Sequence, residues 1–189
     1  MERTSRIDLP AAERAAADLL RALGVATTAE STRATPARMA KALAELLTPR
    51  PFKLTTFPND EGYAELLVQE GIPFTSLCEH HGLPFMGTAV VAYLPGERIV
   101  GLSKLARVVE HFARRTQVQE RLTKEIATWL QANLLAQGVG VMVRAEHLCM
   151  TLRGVQAPGT STLTTSLTGD LLSDARARQE FFTLAGRAR

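Results

Sequence analysis

The stretch "VGVMVRAEHLCMTLRGV", Val139 to Val155, decides how this chain folds. Its valine-rich pattern is typical of a β-strand, and we predict one strand from about Val139 to Arg153. Successive side chains of a strand point to opposite faces, so a histidine, a cysteine and an arginine would share one face with apolar residues. That predicted face consists of Val141, Val143, Ala145, His147, Cys149, Thr151 and Arg153.

A second stretch, "TSLCEHHGLPF" at residues 75–85, holds one of the two cysteines and two of the four histidines in the chain. Cys78 and His81 are three residues apart, a separation that a tight turn or one helical turn brings together around an ion. Cys149 would complete a Cys₂His set, and soft thiolates with an imidazole select zinc over magnesium or calcium. The sequence therefore predicts a zinc site that joins the two stretches.

The predicted zinc site has three protein ligands, whereas structural zinc sites normally use four. Three ligands and a water are the catalytic pattern, and they leave His80 and His147 near the metal with nitrogens free for proton transfer. His80 could instead complete a four-ligand shell. The coordination number therefore distinguishes an enzyme from a non-catalytic binding protein that zinc stabilises.

The composition bounds the protein class. A chain of 189 residues with 46% hydrophobic residues is long enough for one domain with an appended helical segment. No apolar run approaches the roughly eighteen residues of a membrane span, and the first residues lack a secretory apolar region, so we expect a cytoplasmic protein with no membrane contact. The net charge of +3 arises from dispersed basic residues, which argues against nucleic-acid binding and allows a polyanionic small substrate.

The N-terminal part of the sequence predicts two helices. The first is expected from about Leu9 to Leu23; the second has Thr35 as its N-cap and Pro36 at its first helical position, and it ends before Pro49.

These helices define the predicted domain organisation. Residues 1–50 are expected to form an N-terminal helical segment, and residues 51–189 a zinc-dependent catalytic domain. The proline-rich stretch "TPRPFKLTTFPNDEG", residues 48–62, is predicted to be the linker between them.

The rest of the chain changes from a strand pattern to a helix pattern and back. The stretches "TAVVAYL" (residues 88–94) and "RIVGL" (residues 98–102), with "PGE" between them, predict a β-hairpin. Apolar residues then recur at helical spacing in two runs. Thr116 and Gln119 between the runs have capping-box spacing, and Gly138 is expected to close the second helix.

Three motifs occur in a recognisable order: "SLCEHHGLPFMG", "GLSKLARVVEHFARRTQVQERLT" and "EHLCMTLRGV". In these motifs, between Pro73 and Gly169, the chain resembles the GTP cyclohydrolase I family. The N-terminal "TPARMAK" is a further, short match. Enzymes of this family use zinc to open the guanine ring of GTP, release formate and form 7,8-dihydroneopterin triphosphate.

The resemblance implies a role for each matching residue. Cys78, His81 and Cys149 match the zinc ligands, in agreement with the spacing argument, and water held by the zinc would attack C8 of the guanine. His80 and His147 match the proton-transfer histidines. The matching substrate contacts are Gln119 and Glu120 for the base, and Ser103, Lys104, Arg107, Arg153 and Arg38 for the ribose triphosphate.

The resemblance also implies the tunnelling fold, an α+β arrangement in which an antiparallel sheet carries two long helices on one face. Family members close edge to edge into rings of five, and two rings stack as a homodecamer with active sites at subunit boundaries. Ring closure would also cover the free edges of the sheet. We therefore predict a homodecamer that takes GTP as its substrate.

One further function stays open beside the enzyme and the binding protein. A paralogue acting in a deazapurine or other pterin-derived pathway would keep the acidic base anchor but need not keep every triphosphate contact. Lys104, Arg107 and Arg153 are all present, which favours a triphosphate substrate.

Overall fold

The computed structural model describes residues 7–186 and divides into two compact units between Thr48 and Pro49. The first unit is a pair of packed helices, α1 (Leu9–Ala22) and α2 (Thr35–Leu46). Both predicted helices are confirmed. The predicted threonine cap of α2 is wrong, because the residue before the helix is Ala34 and no side chain caps this end.

The second unit contains seven strands and five helices within the described residues. Five of the strands form one sheet in the order β5-β2-β3-β6-β7, antiparallel except that β5 runs parallel to β2. The other two strands, β1 and β4, pair with each other. The elements in chain order are β1 (Thr56–Pro58), β2 (Leu67–Cys78), β3 (Pro84–Leu94), β4 (Arg98–Val100), α3 (Leu102–Ala113), β5 (Thr116–Gln117), α4 (Gln119–Leu134), β6 (Gly138–His147), α5 (Leu148–Thr151), β7 (Thr162–Thr168), α6 (Gly169–Ser173) and α7 (Ala175–Ala185).

Helices α3 and α4 pack on one face of the large sheet and form the main core with it. The alternation predicted for β6 is confirmed, since Val141 and Val143 point into this core while Met142 points to the opposite face. The predicted α+β class and the antiparallel sheet with two long helices on one face, as in the tunnelling fold, are therefore confirmed. Within residues 7–186, no helix combines the length and the apolar character needed to cross a membrane.

A smaller core on the opposite face of the sheet was not predicted. Phe181 of α7 is fully buried there against β6. A Cβ atom at Gly140 would lie 2.9 Å from two carbons of the Phe181 ring, so the strand needs a glycine where this helix approaches.

The predicted hairpin and linker are both wrong. Strand β4 pairs with β1, which lies inside the stretch expected to be a linker. The antiparallel partners of β3 are instead β2 and β6, and a turn at residues 79–83 connects β3 to β2. Tyr93 of β3 ties β4 to the sheet through its side chain, because its buried hydroxyl accepts a 3.1 Å hydrogen bond from the Val100 N–H.

The elements around α4 and β6 also differ from the prediction. Thr116 lies in β5, and α4 begins with no side-chain cap, so the capping box is absent. The helix ends at Leu135 in a left-handed conformation, and Gly138 opens β6 instead of closing the helix. Strand β6 stops at His147, well before Arg153, because its partner strand β3 starts at Pro84, which has no N–H to extend the ladder.

Candidate active site

The turn at residues 79–83 folds His81 back onto Cys78. The Gly82 N–H donates to the Cys78 carbonyl at 2.8 Å, and the left-handed φ of Gly82 (+63°) suits a residue without a side chain. The turn places His81 Nδ1 3.6 Å from Cys78 Sγ. The three-residue spacing thus brings these two side chains together.

Cys149 completes the cluster from a different element than expected. It lies on the single-turn helix α5, so the argument that it shares a strand face with His147 is wrong. The helical turn nevertheless places its Sγ within 4.8 Å of both Cys78 Sγ and a ring nitrogen of His81. Among the described residues 7–186, this is the one group of three potential metal ligands whose ligand atoms lie so close together.

The donor set fits zinc. Tetrahedral bonds of about 2.3 Å to sulfur and about 2.05 Å to nitrogen separate the two ligand atoms by about 3.6 Å, which equals the 3.6 Å between Cys78 Sγ and His81 Nδ1. Both cysteines are free thiols. Burial, and then the neighbouring Cys78, raise the pKa of the Cys149 thiol, so a cation would stabilise the two sulfurs as thiolates.

His80 lies beside the cluster and outside it. Its side chain is exposed, its Nδ1 is 4.0 Å from Cys78 Sγ, and its ring stands at 83° to the ring of His81. It is not part of the group whose ligand atoms all lie within 4.8 Å of one another. The arrangement therefore favours three protein ligands over a closed four-ligand shell.

His147 is held at the end of β6 by two contacts. Its ring stacks on the buried Phe85 with centroids 4.6 Å apart and planes 2° from parallel, as their cross-strand register dictates. Its Nε2 lies 2.8 Å from Gln119 Oε1. Burial lowers the pKa of His147, and the nearby Glu120 carboxylate opposes that shift.

The two residues predicted to recognise the base differ in accessibility. Glu120 is exposed in the first turn of α4, close enough to His147 for their charges to interact. Gln119 is 2% exposed, and its side-chain amide makes all of its hydrogen bonds within the chain. This burial argues against a direct contact between Gln119 and a guanine base.

An ion pair links the turn at residues 79–83, called the metal turn below, to α4. Glu79, between Cys78 and His80 in sequence, accepts a hydrogen bond from Arg121, which also donates to the Thr116 carbonyl at 3.1 Å. This hydrogen bond lowers the pKa of Glu79, chiefly by stabilising the carboxylate. The contact gives Glu79, for which the sequence indicated no role, a place in the site.

The predicted phosphate contacts of α3 are in the first half of the helix, whereas the end of the helix leads into the strand that pairs with Cys78. Ser103 and Lys104 are in the first turn of α3, whereas its last residue, Ala113, precedes the strand that pairs with Cys78. Ten residues of helix separate the two ends by about 15 Å. Arg107 lies one turn nearer, with a guanidinium nitrogen 3.6 Å from the Glu110 carboxylate.

The other two predicted phosphate contacts lie in different parts of the chain. Arg153 is exposed just beyond α5, and its charge reaches Cys149, whose pKa it lowers against the larger effect of burial. Arg38 is an exposed residue of α2 in the N-terminal unit. Its contact with phosphates stays a prediction.

The comparisons with known proteins concern nearly the whole chain. The model of the family described as GTP cyclohydrolase I matches residues 12–186. The chain belongs to the GTP cyclohydrolase I family. It is 48% identical to GTP cyclohydrolase 1 of Hydrogenobaculum sp. over 165 residues, covering 87% of this chain and 91% of that protein. The enzyme of the same name from Aquifex aeolicus is 48% identical over 155 residues, covering 82% of this chain and 84% of that protein.

A similarity to a solved structure is more distant. The apo crystal structure of the archaeosine synthase QueF-Like matches 55% of this chain and 93% of that chain, at 16% identity and a TM-score of 0.44. A match at this level supports no conclusion about the present chain.

Two members of the site in this GTP cyclohydrolase I family chain were missed by sequence reasoning. Phe85 lies inside a family motif, yet only the register of β3 against β6 shows that it stacks on His147. Arg121 directly follows the predicted base-binding pair, but its partner Glu79 is 42 residues away. Local spacing carries no signal for either contact.

Proposed function

We propose that this protein is a zinc-dependent GTP cyclohydrolase I. It would hydrolyse the imidazole ring of the guanine of GTP at C8, release formate and rearrange the remainder to 7,8-dihydroneopterin triphosphate. The observation that carries this proposal is the gathering of Cys78, His81 and Cys149 next to His147 at one end of the sheet. The family match and the names of the relatives support it.

Zinc would be held by Cys78, His81 and Cys149. When bound, it supplies a Lewis acid that lowers the pKa of a water ligand and makes a nucleophile available at neutral pH. Cys78 at the end of β2 and His81 in the following turn would supply two ligand atoms, and Cys149 of α5 the third. Three protein ligands leave a coordination position for a reactant.

The two free histidines would move protons during ring opening. His147 is fixed in orientation by the Phe85 stack and the Gln119 hydrogen bond, so it is suited to a proton transfer at one defined place. His80 is exposed and has no such restraint in its ring contacts. We assign it to a step with water access.

Substrate recognition would use one acidic anchor and several cations. The Glu120 carboxylate can accept hydrogen bonds from the N1–H and the amino group of guanine, which adenine cannot offer. Arg153 would approach the phosphates from the metal side of the site. Ser103, Lys104 and Arg107 would do so from α3, with Arg38 as a further candidate.

The separation of these groups supports an oligomer with shared active sites. In a single chain, the first turn of α3 lies about 15 Å along the helix axis from the end next to the metal turn. A second copy that brings its α3 to this metal turn would complete the site. Strand β7 also has one side unpaired among the described residues, as a ring-forming edge requires. These grounds support an oligomer with shared sites. From the family resemblance we further propose that it is a homodecamer, and from the lack of a secretory apolar region that it lies in the cytoplasm.

Formate release from GTP tests the function. The zinc-loaded protein is incubated with GTP, GMP or ATP, and formate and the absorbance of the oxidised pterin are followed. We expect product from GTP, less from GMP because phosphate contacts are lost, and none from ATP. An intact, zinc-loaded oligomer that releases no formate from GTP would refute the proposal.

A further inference from the structure

Gln119 is buried at the start of α4, where the family resemblance predicts a base-binding residue. It is 2% exposed. Its Nε2 lies 3.0 Å from the carbonyl oxygens of Val143 and Thr162 and 3.1 Å from the hydroxyl of Thr164. These acceptors engage both N–H groups of the amide, which leaves no donor for a base.

The surrounding acceptors determine which way the amide faces. Two of the three groups around Nε2 are backbone carbonyls, which cannot donate, so the nitrogen must lie on their side. The third group, the Thr164 hydroxyl, is also an acceptor for Nε2. Thr123 donates its hydroxyl hydrogen to the backbone carbonyl of Gln119 at 2.7 Å, so at 2.6 Å Thr164 must donate to Thr123 and is left to accept from Gln119. Gln119 Oε1 must consequently be the atom that faces His147 Nε2 at 2.8 Å.

An amide oxygen at this position determines the tautomer of His147. Because Oε1 can only accept, His147 Nε2 must carry the hydrogen, and in the neutral ring Nδ1 is then the bare nitrogen. The stack on Phe85, with planes 2° apart, fixes the plane in which the ring lies. The amide and the phenyl ring together define both the orientation and the proton position of this imidazole.

We infer that Gln119 is a positioning residue that sets His147 in its Nε2–H tautomer and leaves Nδ1 to exchange a proton with the substrate. This inference rests on the proposed function for its catalytic meaning, but the tautomer itself does not depend on activity. It replaces the predicted contact between Gln119 and the guanine. Guanine recognition is left to Glu120, the exposed neighbour of Gln119.

Neutron crystallography of the zinc-loaded, full-length protein tests the tautomer directly. We expect a deuteron on His147 Nε2 and the two amide deuterons of Gln119 directed at Val143, Thr162 and Thr164. A bare Nε2, or an amide whose nitrogen faces His147, would overturn the inference. This result is independent of formate release, so it separates failure of the inference from failure of the proposed function.

Kinetics of Gln119→Met test the consequence. The thioether cannot replace the amide acceptor, so kcat for GTP should fall by about 10²-fold, the scale of one positioned proton-transfer group. The KM for GTP and the preference for GTP over inosine triphosphate, which lacks the guanine amino group, should stay within about twofold, since no base contact is lost. A raised KM and a lost preference with unchanged kcat would identify a base-binding residue and refute the positioning role.

The matched control is Thr164→Val. It removes one acceptor of the same buried amide and leaves the contact between Gln119 and His147 in place. We expect its kcat to stay within about threefold of wild type, as for the loss of one neutral hydrogen bond remote from the reacting atoms. An equal fall of kcat in both variants, at equal thermal stability, would show a general packing effect and overturn the inference.

Discussion

Mixing two inactive variants should restore activity if the active site is shared between chains. One variant, His147→Ala, lacks the proposed proton carrier beside the candidate zinc ligands. The other, Lys104→Ala with Arg107→Ala, lacks the cations of α3. In one chain the first turn of α3 lies about 15 Å along the helix axis from the end of the helix next to the metal turn. We therefore expect each site to take these two parts from different chains.

The size of the recovered activity follows from this geometry. In randomly mixed oligomers with equal amounts of both variants, half of the metal sides and half of the α3 sides are intact. A site shared between two chains is then wild type in about one case in four, so about a quarter of wild-type activity should return. A site formed within one chain would always carry one of the two defects, and no activity would return.

The assay is formate release from GTP by co-expressed chains that carry two different affinity tags and are purified through both. A chain with all three substitutions, mixed equally with wild type, is the control. Shared sites predict about a quarter of wild-type activity for this control, whereas sites within one chain predict about one half. No recovery in the first mixture, with about one half in the control, would refute the shared site.

Three further outcomes follow from the candidate site and from the partly buried His111 of α3. Cys149→Ser should lose zinc and activity, whereas His147→Ala should keep zinc and lose turnover; metal analysis showing the reverse would invert the two roles. His111→Phe should reduce the loss of stability at acid pH. Burial lowers the pKa of His111 in the folded protein, so below about pH 6.5 the unfolded chain binds more protons than the folded chain and the free energy of unfolding falls. Urea unfolding at pH 7.5 and 5.5 measures this, and an equal acid loss in both proteins would contradict it. Arg121→Leu should release zinc to a chelator about tenfold faster, since the arginine restrains Glu79 in the metal turn; unchanged release, as expected for the remote control Asp18→Asn, would contradict this.

The candidate metal ligands were accessible to sequence reasoning because part of their geometry is local. Cys78 and His81 are three residues apart, and one turn stabilised by its own backbone brings them together. Cys149 was selected correctly for the cluster but for a wrong reason, since it reaches the site from α5 and not from a strand face. The affinity of thiolates for zinc identified Cys149 as a candidate ligand. Only the structure shows that β6 ends at His147 and that α5 then brings Cys149 to the cluster.

The strand pairing was predicted less well than the helices. Helical periodicity is visible in a short window, so α3 and α4 were found from their apolar residues. The hairpin between β3 and β4 was wrong because strand pairing depends on partners outside the window, and β4 pairs with β1. Strand β7 and helix α7 were not predicted, although Phe181 and Ala185 of α7 belong to the second core.

The sequence by itself determined the ligand chemistry, the helices of the core and the family to which the chain belongs, because motif residues and helical periods are properties of near neighbours. Tertiary structure alone decided that Phe85 stacks on His147, that Gln119 faces inward and that the strand following α3 pairs with Cys78. Gln119 and His147 are 28 residues apart, and Glu79 and Arg121 are 42 apart. Contacts at such separations are selected by the packing of the whole sheet against its helices, where the register of every strand constrains the others.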